Sequence, residues 1–336
     1  MKKLYPLLRP LLFAAPAETM HHAALKLLNL KEKLLDGALP SWALQKPIQV
    51  SGLSFPNPVG LAAGFDNQGA HLRALFHLGF GFLEVGAVTP RAQPGNPKPR
   101  LFRLPKQESL LNHMGFCNRG VDYLLKNLEK RPVGRIVGVN IGKNRDTPLD
   151  KAVDDYLTCF HKVAPVCDYV TVNISSPNTV GLRELQHKDY CRDLLMRLKA
   201  AQQEYAEKTG FYRPLWVKVS PDLSEEEMKV LADIFCEVSI EGIVATNTSV
   251  YRDNVPPQWR DQPGGISGKA LHARADAVLA RFYALVGETI PLIGVGGIFS
   301  LADAKRKLAL GAKLVQVYTG LIYKGPGLVK ELVTGL

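Results

Sequence analysis

The chain has 336 residues, 46% hydrophobic and 22% charged, with 42 Lys and Arg against 31 Asp and Glu for a formal charge of +11. This composition supplies enough apolar surface for a large folded core and excludes a disordered chain. The basic excess suits anionic partners such as phosphate-bearing cofactors or acidic lipid, but the basic residues are spread along the chain and match no nucleic-acid-binding module.

The cysteines (Cys117, Cys159, Cys167, Cys191 and Cys236) form no C-x-x-C pair and no metal-ligand spacing, so they are expected to be reduced thiols in a cytoplasmic compartment, with no metal site. No apolar run approaches the roughly 20 residues that cross a bilayer.

In chain order, Met1 to Phe13 sets Lys2, Lys3 and Arg9 among Leu4, Tyr5, Leu7, Leu8, Leu11, Leu12 and Phe13, and Pro6 and Pro10 interrupt the apolar stretch a signal peptide would need. A short, basic, apolar segment suits the surface of an anionic membrane; an ordinary helix packed on the main domain is the competing reading, and composition favours neither. Ala17 to Leu35 has helical spacing through Met20, Ala24, Leu27, Leu28 and Leu34. Residues 1–46 are therefore assigned to an N-terminal helical region and 47–336 to a main domain. Ile48 to Phe55, turning at Ser51-Gly52, has the alternation of a small hairpin.

The dominant pattern follows. Short β-rich apolar runs recur at Val59–Ala63, Phe82–Val88, Ile136–Ile141, Tyr169–Ile174, Leu215–Val219, Gly242–Thr246, Leu292–Val295 and Leu314–Tyr318. Helical patterns lie between most of them, at Gly69–Leu78, Lys151–Val163, Asp189–Lys208, Ser224–Val238, Ala273–Leu285 and Leu301–Leu310. Near-continuous apolar runs mark strands buried on both faces. Sustained strand–helix alternation predicts a (β/α)8 TIM barrel rather than an open doubly wound sheet, whose early glycine fingerprint is missing after the first run.

Working residues of such a barrel sit at the C-terminal ends of its strands. Those ends are rich in asparagine, whose amide both donates and accepts, as a flat heterocycle edged with C=O and N–H groups requires. Gly296-Gly297 and Thr319-Gly320 follow the last two runs, where barrels commonly hold phosphate against bare backbone N–H groups. Lys218 ends an apolar strand, a costly place for a charge without a task or partner; a cation there would stabilise negative charge developing on a bound ring, whereas a rim lysine would snorkel. Ser-Ser-Pro by itself is more often a turn.

Together, Asn173-Ile174-Ser175-Ser176-Pro177-Asn178 with Gly181-Leu182-Arg183, the Gln93-Pro94-Gly95-Asn96 loop leading to Lys98–Arg103, Asn140–Asn144, Ser220–Ser224, Ala245–Thr248, Gly264–Gly268 and Gly294–Ile298 resemble, in order, the motifs of the dihydroorotate dehydrogenases. The resemblance runs from about Ile48 to the C-terminus. It implies a flavin mononucleotide (FMN) enzyme of pyrimidine biosynthesis. Ala63, Gly64, Asn140, Asn173, Lys218, Thr246, Gly268, Gly297, Tyr318 and Thr319 match positions that hold FMN; Asn112, Asn173, Asn178, Asn247 and Thr248 match those that hold the pyrimidine, with Asn67 at the carboxylate-contacting position. Ser176 matches the catalytic base, and serine rather than cysteine there points to the quinone-linked class 2. In that class the N-terminal helical region admits the quinone and docks on the membrane, so the resemblance implies a cytoplasmic chain held peripherally at the inner face of the cell membrane.

Three departures fall inside these motifs. Asn67 stands where the family has a lysine facing the substrate's carboxylate, His113 and Cys117 alter Asn-Arg-Met-Gly-Phe-Asn, and Ala87 replaces a flavin-contacting threonine. Losing a cation opposite a carboxylate removes a bond of about 1.5–3 kcal/mol, or about tenfold in affinity. The leading reading is dihydroorotate oxidation to orotate with a quinone acceptor; the alternatives are dehydrogenation of a different amide-containing or cyclic substrate and a flavin-binding protein without turnover. The absence of a dinucleotide fingerprint disfavours a nicotinamide-linked enzyme.

Overall fold

The computed structural model describes residues 5–34, 40–44, 46–253 and 255–336. Met1 to Leu4 and Leu35, which belong to the N-terminal patterns above, lie outside the described residues. Two helices come first, α1 (Tyr5–Ala14) and α2 (Ala17–Leu34), then the expected hairpin of β1 (Ile48–Val50) and β2 (Leu53–Phe55). The remaining strands are β3 (Val59–Leu61), β4 (Phe82–Val88), β5 (Leu101–Leu104), β6 (Ser109–Asn112), β7 (Ile136–Ile141), β8 (Tyr169–Asn173), β9 (Leu215–Val219), β10 (Gly242–Ala245), β11 (Gly265–Gly268), β12 (Leu292–Val295) and β13 (Ala312–Val317).

Strands β3, β4, β7, β8, β9, β10, β12 and β13 form a closed parallel barrel, confirming the (β/α)8 assignment. Around it lie α3 (Leu72–Phe76), α4 (Val121–Leu128), α5 (Ala152–Val163), α6 (Lys188–Thr209), α7 (Glu225–Glu237), α8 (His272–Val286), α9 (Leu301–Ala309), α10 (Thr319–Lys324) and α11 (Gly327–Gly335). Their apolar faces and the outward residues of the strands make the main core. Sequence chemistry sets the helix starts. Ser224 and Glu227 cap α7 reciprocally, each side chain accepting from the other's backbone N–H at 3.3 and 2.7 Å. α3 is shorter than the expected Gly69–Leu78 because Asp66 accepts from the N–H groups of Ala70 and His71 at 3.1 and 2.8 Å, holding that stretch as a loop.

Because strand side chains alternate between faces, the barrel interior is layered. At the bottom, Phe82, Tyr169 and Trp216 fill the bore; each is paired in register with a glycine of the neighbouring strand, Gly60, Gly138 and Gly242. Any Cβ on those glycines would run into the paired ring. Tyr169 and Trp216 stack at 3.9 Å, and Phe55 of the hairpin meets Phe82 edge-on at 5.1 Å, closing that end. The next inward positions are polar: Glu84, Thr171 and Gln316, then Asn140, Asn173 and Lys218 toward the mouth.

Pairing of β5, β6 and β11 adds an antiparallel sheet beyond the mouth, an element the sequence reading did not anticipate. α1 forms despite Pro10 inside it. It is held by Tyr5, which donates to the Ile322 carbonyl at 2.5 Å, by Arg9 on the Tyr323 carbonyl at 3.1 Å, and by Phe13 against the Tyr323 ring at 5.2 Å. Leu7, Leu11, Leu27 and Leu30 of α1 and α2 are left 76%, 73%, 66% and 58% exposed. Among the described residues no helix is long and apolar enough to cross a membrane.

Candidate active site

A cavity of about 1160 Å³ opens at the C-terminal ends of the barrel strands and runs out beneath α2. The strand ends deliver the amides. Asn140, fully buried, donates to Glu84 Oε1 at 2.9 Å; Asn173 donates to Asn140 Oδ1 at 2.9 Å; Asn247 donates to Asn173 Oδ1 at 3.3 Å and to Ser175 Oγ at 3.0 Å. On the opposite wall Asn178 donates to Asn112 Oδ1 at 2.8 Å, and His113 Nδ1 lies 3.3 Å from Asn178 Oδ1.

Every residue predicted for the site lines this cavity except Asn140, which accepts a hydrogen bond from Asn173 behind the lining. Ser176 is 6% exposed on the wall, and its Oγ accepts from the Asn178 N–H at 3.3 Å. Thr246 and Thr248 flank Asn247, whose Oδ1 accepts from the Thr248 N–H at 2.8 Å.

At the far end the walls are backbone. Gly268 and Gly297 both have left-handed φ, at 94° and 75°, which disfavours side chains, and a Cβ on either would collide with Glu108 or His272. Thr319 lies beside them, its hydroxyl 2.8 Å from that of Ser267. Such bare backbone can approach a phosphate closely. Nearer the bore, Ala63 and Gly64 leave space under Tyr318, whose hydroxyl donates to the Gly64 carbonyl at 3.2 Å. The cavity also holds buried polar atoms without a protein partner, Gln316 Oε1, Thr248 Oγ1 and Asn67 Oδ1. Buried polar atoms are normally paired, so these are places for a ligand's N–H or O–H. Amides along a flat wall, orphaned acceptors and a glycine cradle together fit a planar heterocycle with an anionic tail. Among the described residues no His, Cys, Asp or Glu group is arranged to hold a metal ion.

Two ion pairs, Lys218 with Glu84 and Arg100 with Glu18, neutralise charge at the site. Lys218 does not snorkel: it is 5% exposed, with Nζ 4.0 Å from Glu84 Oε1. Burial lowers its pKa and the Glu84 carboxylate opposes that shift. At the outer wall Arg100 grips Glu18 of α2 through two contacts, at 3.2 and 2.8 Å. Burial would raise the Glu18 pKa, but the Arg100 hydrogen bond and charge more than offset it, and the net shift is downward. His21 of α2 lies 2.8 Å from the Phe65 carbonyl, and burial pushes its imidazole down to about 4, so it is neutral at neutral pH. α2 thus closes one side of the cavity by polar contacts as well as by buried Leu25.

Two of the sequence departures touch each other. Asn67 donates to the Cys117 carbonyl at 3.3 Å and lies 3.7 Å from its Sγ. Burial raises the Cys117 pKa, with Arg100 opposing, so the thiol stays neutral. This part of the wall therefore presents an amide and a thiol. The sequence reading missed Glu84, Gln316 and the Glu18–Arg100 pair. A charged residue within an apolar strand was the signal that singled out Lys218, and Glu84 carries the same signal.

Fold and site together define a (β/α)8-barrel enzyme whose mouth fits a planar, hydrogen-bonding ligand with an anionic tail. The sequence pattern of the dihydroorotate dehydrogenase family matches residues 46–336, and the chain belongs to that family. It is similar to the dihydroorotate dehydrogenase (quinone) of Paraburkholderia xenovorans, 51% identical over 335 residues that cover 99% of this chain and 98% of that one. The same named enzyme of Chromobacterium violaceum is 51% identical over 330 residues, covering 98% and 96%. Among solved structures, the Eimeria tenella enzyme in complex with ferulenol superposes with a TM-score of 0.87 at 33% identity, covering 94% of this chain and 89% of that one.

Proposed function

We propose that this chain oxidises dihydroorotate to orotate with FMN as its bound cofactor and passes the electrons to a quinone. The observation that carries this reading is one cavity in which the amides of Asn112, Asn173, Asn178 and Asn247, the Ser176 hydroxyl and the glycine cradle face one another, in a chain of this family. Ala63, Gly64, Asn173, Lys218, Thr246, Gly268, Gly297, Tyr318 and Thr319 would hold the flavin, with Asn140 acting from beneath. Asn112, Asn173, Asn178, Asn247 and Thr248 would hold the pyrimidine, with Asn67 at its edge.

Bound flavin supplies the hydride acceptor that dehydrogenation of a C–C bond requires. Ser176 takes the proton from the neighbouring carbon as its own hydroxyl proton leaves along a hydrogen-bonded route to solvent. A serine hydroxyl is a weak base, and the N–H of Asn178 directed at Oγ favours its charged form. The amides fix the substrate ring by its C=O and N–H edges, so that the proton to be removed faces Oγ.

Residues 1–46 form the quinone-admitting, membrane-docking part in this reading. The opening of the cavity beneath α2 supports the first role, and the exposed leucines of α1 and α2 support the second, at the inner face of the cell membrane. Steady-state turnover of the FMN-loaded protein with dihydroorotate and a short-chain quinone tests the assignment. Quinone reduction that depends on dihydroorotate is expected; a loaded protein with no measurable rate would rule it out.

The neutral Asn67–Cys117 wall gives a further expectation. Asn67→Lys should lower the Michaelis constant for dihydroorotate by about tenfold, the worth of one charge-assisted bond to its carboxylate. If the constant does not move, the carboxylate does not sit against this wall.

A further inference from the structure

Glu84 is 1% exposed, inside a barrel strand, and does not itself line the cavity. A carboxylate there is costly unless charge and hydrogen bonds compensate it. Every compensating group comes from another strand of the barrel. Asn140 of β7 donates to Oε1 at 2.9 Å; Oε2 accepts from Gln316 of β13 at 2.9 Å, Thr171 of β8 at 3.1 Å and Tyr169 of β8 at 3.4 Å; Lys218 of β9 stands 4.0 Å from Oε1.

We propose that Glu84 is the positioning residue and counter-charge of the cofactor site: it fixes the donor–acceptor polarity of the Asn140–Asn173–Asn247 chain and holds the Lys218 ammonium in a neutral pair, which sets the electron affinity of the bound ring. The proposal rests on the reading that flavin occupies this mouth.

The polarity follows from chemistry. An ionised carboxylate only accepts hydrogen bonds, so Asn140 must turn its NH2 down to Glu84 and its oxygen up. Asn173 must then donate to that oxygen, and Asn247 to the oxygen of Asn173, as the contacts show. A glutamine at position 84 both donates and accepts, so it would no longer dictate which way each amide faces. Charge follows the same logic. With Glu84 ionised, Lys218 and its partner present no net charge to the ring; without the carboxylate, a buried, uncompensated cation would face it and favour every ring state that carries negative charge.

Sulfite binding to the oxidised holoenzyme tests this, because the adduct places negative charge on the flavin. Glu84→Gln is expected to tighten sulfite binding at least tenfold, and to raise the two-electron flavin potential by roughly 30 mV for each factor of ten. Glu84→Asp, which keeps the carboxylate, is expected to hold sulfite affinity to within about threefold of wild type, and to fold where Glu84→Gln does not. A yellow Glu84→Gln protein with unchanged sulfite affinity and potential overturns the proposal; so does a folded Glu84→Asp protein that binds sulfite about ten times more tightly than wild type. A wild-type chain that takes up no FMN overturns the reading of the site, and this proposal with it.

Discussion

Ser176→Ala is expected to leave FMN binding intact and to slow flavin reduction by dihydroorotate roughly 100- to 10,000-fold, the usual contribution of a positioned general base. The hydroxyl lies in the cavity wall at 6% exposure, and its described partner is the N–H of Asn178, a residue of the substrate wall. Removing one oxygen leaves the amide chain, Lys218 and the glycine cradle in place, so the cofactor should be held as before while the proton loses its acceptor. Single-turnover absorbance under anaerobic conditions separates the two effects. Reduction at the wild-type rate would remove Ser176 from the chemistry.

The second large effect concerns stability. Lys307 of α9 is fully buried, with Nζ 2.7 Å from Asp276 Oδ1, close enough for a strong ion pair although the angle is not that of a hydrogen bond. Burial lowers the lysine pKa and Asp276 opposes that shift. Asp276 Oδ2 also takes Arg306 at 2.6 Å and His272 at 3.2 Å, and His272 Nδ1 lies 2.9 Å from the carbonyl of Gly297 in the cradle. Asp276→Ala strands a charge in the core and should destabilise the fold by about 3–5 kcal/mol in urea unfolding. Asp276→Ala/Lys307→Met should recover most of that loss. A single variant within about 1 kcal/mol of wild type would mean that Lys307 is already neutral in the native protein.

These two residues mark how far the sequence could be followed. Barrel strands were legible because burial on both faces leaves uninterrupted apolar runs, and most ends matched within a residue or two. Ser176 was legible through its motif. The Asp276–Lys307 pair was not, since two charges on helices look like solvated surface until the helices are packed side by side. Strands β5, β6 and β11 are four residues each, and Gly265 pairs with Asn112 across more than 150 positions, so no local pattern announces that sheet. Asn67 and Cys117 were both visible as departures, but their contact spans 50 residues and depends on how the loops after β3 and β6 fold together. Glu84 carried a visible signal, a charge in an apolar run, but its partners lie on other strands and only the closed barrel brings them together.

If this chain works as proposed, a flavin in its mouth is reduced by dihydroorotate with Ser176 taking the proton. Anaerobic mixing of the purified yellow protein with dihydroorotate, followed by flavin absorbance, tests that most directly. Prompt bleaching, reversed on adding a quinone, is the predicted result. A protein that binds FMN and stays yellow with dihydroorotate would contradict it.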